Sequence, residues 1–475
     1  MDVKPSLIDG KWMTSDDRFE VRSPFSGEMI AEVSLAGDDQ IEMSLAAARS
    51  AAAKMRDLAR FQIAKALNAI SSGIASRKDE FAKAIALESA KPLIYGRGEV
   101  ERAIATFAWA AGEAERAAGE IVPIDVQASG KGKWGRTLRL PRGVVYGITP
   151  FNFPLNLVAH KVAPALASGN SIIVKPSPRT PLTAILLGEV FLECGLPAGA
   201  LQVLHVDVEK IAKIVADDRI AMVSFTGSAA VGWDLRAKTG RKPVTLELGG
   251  NAPVIVDESA EAERSVSRCV TGAFAYSGQV CISVQRVFIH ENIADAWVSS
   301  FVSQAANLRR GDPLDEKTQI SVMIDEKAAQ RIETWVSDAV DNGAELVLGG
   351  GRDGKYYEPT VLTNADPELP VVAEEAFAPV VVIERFQRFA DAVEMSNNSK
   401  YGLQAGVFSN DLRNIEYAEQ LLEFAGVIVN DTPIFRVDNM PYGGWKESGF
   451  GREGVRYAMD EMSELKLIVH ERLKA

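Results

Sequence analysis

Apolar residues recur at helical spacing near the start of the chain, at Ile63, Ala64, Leu67 and Ile70 and again at Phe81, Ala84, Ile85 and Leu87. They predict amphipathic helices in an Ala-rich opening segment of about a hundred residues. From Val144 the pattern changes to short continuous apolar runs separated by helical stretches, at 144–148, 171–174, 202–205, 221–225, 244–246 and 253–256. That alternation predicts a parallel sheet built from strand–helix–strand units. A second set of runs, at 286–290, 380–383, 405–408 and 426–429, is separated by amphipathic helices such as 325–342 and predicts a second α/β unit. The alternating, Gly-bearing stretch 121–140 predicts a hairpin, and 465–469 a closing strand. Either could pair with a second subunit or with an edge of its own chain.

Composition narrows the classes of function. A 475-residue chain with 47% hydrophobic and 24% charged residues has room for more than one core. Its net charge of −12 and pI near 5.1 oppose a broad phosphate-binding surface, so nucleic acid is excluded as an expected partner. No apolar run approaches the roughly 20 residues of a membrane span. Asp2, Lys4 and Asp9 stand where a signal peptide would be apolar, so a cytoplasmic location is expected. Cys194, Cys269 and Cys281 are odd in number and too far apart for a zinc site or a redox pair; a reducing compartment and no metal are expected.

Two of the polar residues stand in settings that suit catalysis. Cys281 follows the small-residue turn Ser277-Gly278-Gln279-Val280, a position for an accessible thiolate. Between Val280 and Ile282, a cysteine alone would more often belong to a core. Glu247 changes that balance: it ends an apolar strand in Leu246-Glu247-Leu248-Gly249-Gly250-Asn251, where burial would raise its pKa towards that of a general base. Phe225-Thr226-Gly227-Ser228 closes another strand and opens a helical run, a place for a dinucleotide pyrophosphate. Lys175, in Val174-Lys175-Pro176-Ser177-Pro178, sets a cation at the same sheet edge, within reach of a ribose hydroxyl. The run Gly449-Phe450-Gly451-Arg452-Glu453-Gly454 matches the dinucleotide glycine fingerprint, but no apolar strand precedes it. It reads instead, with Pro441-Tyr442-Gly443-Gly444, as a tight loop flooring an active site.

In order along the chain, Pro150-Phe151-Asn152-Phe153-Pro154, Lys175-Pro176-Ser177, Phe225-Thr226-Gly227-Ser228, Glu247-Leu248-Gly249-Gly250, Gly278-Gln279-Val280-Cys281, Glu375-Ala376-Phe377-Ala378-Pro379 and Pro441-Tyr442-Gly443-Gly444 resemble the aldehyde dehydrogenase superfamily over essentially the whole length. The resemblance implies an α/β fold with a Rossmann-like parallel-sheet cofactor domain at 1–120 and 141–250. It also implies a second α/β catalytic domain at 251–440 and a small β oligomerisation element at 121–140 and 455–475, serving a homodimer or homotetramer. Cys281 would attack the aldehyde carbon, the oxyanion would rest on Asn152 and the Cys281 N–H, and hydride would leave for the nicotinamide of NAD or NADP. Glu247 would then activate the water that hydrolyses the thioester; branches that pass the acyl group to coenzyme A or phosphate usually lack this glutamate. Lys175 and Glu375 would hold the riboses, Phe377 the nicotinamide side and Ser228 the pyrophosphate, with Pro150, Ser177, Thr226, Gly227, Leu248 and Gly249 completing the cleft. Two departures stand out: Ala378 replaces the usual glycine of its turn, and Pro178 stands where NAD-preferring relatives often carry a glutamate, beside Arg179.

The family positions lining the aldehyde tunnel would be Arg102, His160 and Arg436. Two arginines and a histidine suit a phosphate, phosphonate, sulfonate or carboxylate tail, whereas arginines paired to acidic neighbours would fit a neutral hydroxyaldehyde such as lactaldehyde. The strings Asn156-Leu157-Val158-Ala159-His160-Lys161 and Phe435-Arg436-Val437-Asp438-Asn439-Met440 resemble the branch of lactaldehyde, non-phosphorylating glyceraldehyde-3-phosphate and phosphonoacetaldehyde dehydrogenases. A non-catalytic structural relative would tend to lose the cysteine or the cofactor contacts, and here Cys281, Glu247, Asn152, Lys175 and Glu375 are all kept.

Overall fold

In the computed structural model, which describes residues 3–471, the continuous apolar runs become strands buried on both faces. Val144–Ile148 and Ser171–Lys175 are buried at every position, which is why their sequences do not alternate. The first sheet runs Lys11–Met13, Ser6–Ile8, Leu201–Val203, Ser171–Lys175, Val144–Ile148, Ile220–Thr226, Val244–Glu247, Gly449–Phe450. Its strands from Leu201–Val203 to Val244–Glu247 are parallel, and an antiparallel strand flanks them on each side. Helices Arg60–Ser76, Leu93–Arg116 and Asn156–Ala167 pack together over one face and supply much of its largest core.

The second sheet is ordered Glu345–Leu348, Thr360–Thr363, Val380–Phe386, Val284–His290, Ala252–Val256, Gln404–Phe408, Gly426–Val429, parallel except at Glu345–Leu348. The rhythm of the sequence groups the run 253–256 with the first sheet; the structure corrects this. Only residues 248–251 separate Val244–Glu247 from Ala252–Val256. Neighbouring parallel strands need a crossover of a dozen or more residues, so the chain passes to the other sheet instead.

A second correction concerns the opening segment. It is helical only from Asp38; before that it forms four short strands, Ser6–Ile8, Lys11–Met13, Arg18–Arg22 and Met29–Ser34. Elements of three to six residues are too short to display a period.

The stretch 121–140 is a hairpin with a short first arm, Ile121–Val122 on Lys133–Pro141. The closing strand is Ser463–Glu471, paired antiparallel to Lys133–Pro141 along its whole length, so its partner lies within the chain. Leu465, Leu467 and Val469 remain 61%, 53% and 47% exposed on it. Residues 472–475 of the expected 455–475 element lie outside the described residues. Among those described, no helix is long and apolar enough to cross a membrane.

Candidate active site

Parallel strands align their carboxyl ends, so Ile148, Lys175, Thr226 and Glu247 fall on one edge of the first sheet, the usual side for a ligand. A cavity of about 580 Å³ opens there. Its walls bring together Asn152, Glu247 and Cys281 with Pro150, Thr226, Gly227, Ser228, Leu248, Gly249, Glu375 and Phe377, and with Arg102 and Arg436. Lys175, Ser177 and His160 do not line it. Lys175 sits along the sheet edge with its Nζ donating to the Pro176 carbonyl at 3.3 Å, and burial pushes its pKa down to about 8. Ser177 Oγ accepts from the Arg179 N–H at 3.2 Å.

The loop carrying Cys281 is strained and held from several sides. Tyr276, Ser277 and Gly278 all take the left-handed region, at φ 52°, 54° and 68°, which costs of order 1–3 kcal/mol for a non-glycine residue. Side-chain bonds fix the strain: Tyr276 Oη donates to the Ser89 carbonyl at 3.1 Å, Ser277 Oγ to the Ser321 carbonyl at 2.7 Å, and Gln279 Oε1 accepts from the Ile324 N–H at 2.9 Å. At Gly278 a Cβ would meet the Ala378 carbonyl oxygen at 2.1 Å, and at Gly250 the Cys281 carbonyl oxygen at 2.3 Å. Glycine at these two positions lets three chain segments meet at the thiol. Burial pushes the Cys281 thiol up to about 11, eased by a bond with Tyr442.

Asn152 Nδ2 donates to the Gln279 carbonyl at 3.0 Å, leaving its second amide hydrogen for another acceptor. Among the described residues, neither carboxylate oxygen of Glu247 has a hydrogen-bond partner. Burial, then the charge of Glu453, raises its pKa well above the carboxylate range. A nearly buried carboxyl without partners is costly to keep unless chemistry uses it.

The rest of the cavity suits a dinucleotide. Among the described residues, Ser228 caps the helix Ala229–Lys238 without a side-chain bond of its own and the buried Thr226 Oγ1 has no partner, so donors converge where a phosphate would sit. Glu375 Oε1 accepts from the Gly250 N–H at 3.1 Å, and a Cβ on Gly249 would fall 2.6 Å from Glu375 Oε2. Burial pushes the Glu375 carboxyl up to about 7. At the turn where Ala378 replaces the usual glycine, it is Phe377 that takes the left-handed conformation, at φ 47°, and Ala378 does not have a positive φ.

Arg102, His160 and Arg436 converge, and acidic residues that the sequence reading missed tie them together. Asp438 accepts from Arg102 Nη2 at 2.7 Å and lies 2.7 Å from His160 Nε2. His160 Nδ1 lies 3.2 Å from Arg436 Nη2, which can only donate, so Nδ1 carries the lone pair and Nε2 the hydrogen. Burial and then the Arg436 charge lower the His160 pKa, keeping the ring neutral. The histidine therefore stands behind the cavity wall and orients Arg436, correcting its expected place in the tunnel. Glu453 lies 3.5 Å from Arg436 and 3.0 Å from Lys161 Nζ; from the glycine-rich run 449–454 it is Glu453 that lines the cavity, with Tyr442 from the run 441–444. The Arg436 side chain is 6% exposed and stacks on Tyr442 with its Cζ 3.6 Å from the ring centroid; among the described residues its Nε has no partner.

The profile of the "Aldehyde dehydrogenase family" matches residues 12–468. The chain belongs to the aldehyde dehydrogenase family. Within it, the chain is similar to the 3-sulfolactaldehyde dehydrogenase of Priestia aryabhattai, 42% identical over 463 residues and 97% of each chain. It is also similar to the lactaldehyde dehydrogenase of Methanocaldococcus jannaschii, 39% identical over 469 residues, 98% of this chain and 99% of the relative. Among solved structures, aldehyde dehydrogenase 21 from Physcomitrella patens, in complex with the reaction product succinate, superposes with a TM-score of 0.97 at 40% identity, covering 99% of this chain and 98% of that one. Other similar solved structures are complexes with NADP or NAD. These findings agree with the branch that the two strings around His160 and Arg436 suggest.

Proposed function

We propose that this aldehyde dehydrogenase oxidises a small anionic aldehyde, bearing a sulfonate, carboxylate, phosphate or phosphonate tail, to the free carboxylic acid with NAD or NADP. The observation that carries this reading is Arg436: a nearly buried guanidinium whose Nε has no partner among the described residues, on the same cavity as Cys281 and Glu247. An anion enclosed there gains charge-assisted bonds from a group already desolvated.

Cys281 Sγ adds to the aldehyde carbon, and the resulting oxyanion is taken by the free amide hydrogen of Asn152 and by the Cys281 N–H. When bound, the nicotinamide supplies the hydride acceptor, and Thr226, Ser228, Leu248, Gly249, Glu375 and Phe377, which line the cavity, would hold the dinucleotide. Pro150 and Gly227 line the same wall, with Lys175 and Ser177 along the sheet edge for the adenosine end. Glu247 takes a proton from water as its oxygen adds to the thioester carbon; the C–S bond breaks and the Cys281 thiolate leaves. No carboxylate stands at Pro178, and Arg179 beside it pairs with Asp325 at 2.8 Å, so both cofactors remain within this reading.

The domain division stated from the sequence is retained, with 121–140 and 455–475 as the contact of a homodimer or homotetramer; the exposed Leu465, Leu467 and Val469 support it. A cytoplasmic location is supported by three cysteines that form no disulfide.

A second reading, a neutral hydroxyaldehyde such as lactaldehyde, is favoured by the acidic partners of both arginines, Arg102 with Asp438 at 2.7 Å and Arg436 with Glu453 at 3.5 Å. Comparing kcat/KM for 3-sulfolactaldehyde and succinic semialdehyde against their uncharged isosteres separates the two. The anionic aldehyde is expected to win by roughly tenfold or more, about 1.4 kcal/mol. Arg436→Ala should erase most of that margin while sparing the neutral aldehyde. A wild-type preference for lactaldehyde would overturn the anionic reading.

A further inference from the structure

Cys281 faces a hydroxyl that the chemistry above does not use. Tyr442 is 4% exposed, and its phenol oxygen lies 3.2 Å from Cys281 Sγ. Among the described residues the hydroxyl has no other hydrogen-bond partner. Its place is fixed by a bridge to Glu453, with the Tyr442 N–H donating to the Glu453 carbonyl at 3.0 Å and the Glu453 N–H returning a bond at 2.6 Å. The guanidinium of Arg436 covers the ring.

We propose that Tyr442 is a catalytic residue, its phenol O–H donating the hydrogen bond that stabilises the Cys281 thiolate. This rests on the reading of Cys281 as nucleophile. A thiol can accept or donate, but once Sγ–H has ionised and its proton has passed to solvent, the sulfur can only accept and the phenol must donate. The phenol keeps its own proton under those conditions, since burial and then the neighbouring sulfur hold its pKa well above the ordinary value. The other charges acting on the sulfur divide: Glu375 and Glu247 oppose a thiolate, and Arg436 favours it. Arg436 over the ring also draws electron density from the phenol and strengthens its donor. In a pocket that pushes the thiol up, this bond is the direct contact that pulls it down.

Tyr442→Phe keeps the ring and its stacking on Arg436 and removes only the oxygen. The test is the ultraviolet absorbance of the thiolate as a function of pH in the cofactor-free enzyme, with Cys281→Ala versions of the wild type and of Tyr442→Phe as blanks. The pH of half-ionisation of Cys281 is expected to rise by about one unit in Tyr442→Phe, a tenfold loss of thiolate at a given lower pH. Alkylation of Cys281 by iodoacetamide at pH 7 should slow by only about threefold, because the more basic thiolate is the better nucleophile, with a Brønsted slope near 0.4–0.5. A half-ionisation pH that does not move overturns the proposal. Turnover by Cys281→Ala would instead remove the nucleophile assignment, and the titration would still report on the hydrogen bond.

Discussion

Cys281→Ala is expected to lower aldehyde oxidation by roughly 10⁴-fold or more, while affinity for the cofactor stays near that of the wild type. The chemical half of this expectation follows from the covalent route: without Sγ there is no thiohemiacetal, and Asn152 has no oxyanion to hold. The binding half follows from the structure, where the side-chain contact of Sγ is Tyr442, and Glu375, Thr226 and Ser228 hold their places without it. Nor should the loop collapse. Its left-handed residues 276–278 are fixed by the bonds of Tyr276, Ser277 and Gln279, and alanine keeps the Cβ at 281. Steady-state formation of reduced cofactor, beside a fluorescence titration of cofactor binding, checks both halves. Substantial remaining turnover would end the assignment of Cys281, and lost cofactor binding would point to a misfolded loop.

What the sequence discloses depends on how far apart the cooperating residues lie. Cys281 and Glu247 each carry their setting beside them, in a small-residue turn and in a strand that ends on two glycines. The parallel strands are legible because burial on both faces leaves unbroken apolar runs. Asp438 and Glu453 have no such local mark. Asp438 meets Arg102 across 336 residues and His160 across 278, and Glu453 reaches Lys161 across 292. Only the folded chain turns three basic residues in a row of family positions into a paired network, with His160 behind the wall and Arg436 in it. Glu453 is also hidden by its surroundings, since the glycines around it invite a reading as a phosphate loop. The strands before Asp38 were lost for a different reason, being too short to show a period.

The raised pKa of Glu247 gives a prediction in which stability and activity move apart. Glu247→Gln should leave hydride transfer nearly intact and slow thioester hydrolysis by roughly 10²–10⁴-fold, the range of a lost general base. Rapid mixing with aldehyde and oxidised cofactor should therefore show a burst of reduced cofactor close to one equivalent per active site, followed by slow turnover. If burst and steady rate fall by the same factor, Glu247 acts before the thioester. In the wild type, hydrolysis requires the ionised carboxylate, so the steady rate should climb with pH through the raised pKa, and Glu247→Gln should lose that limb. Stability runs the other way. Burial and Glu453 place the folded-state pKa above its unfolded value, so the favourable neutral form persists at low pH and stability is lost as pH rises through the folded pKa. Glutamine stays neutral throughout and avoids that loss. The variant is thus expected to unfold at a temperature equal to or above that of the wild type at pH 8, with the difference shrinking towards pH 4–5, where the wild-type carboxyl is itself protonated. Thermal unfolding at the two pH values decides the matter: a variant less stable than wild type at pH 8 would mean that the Glu247 carboxylate is held by bonds this structure does not contain.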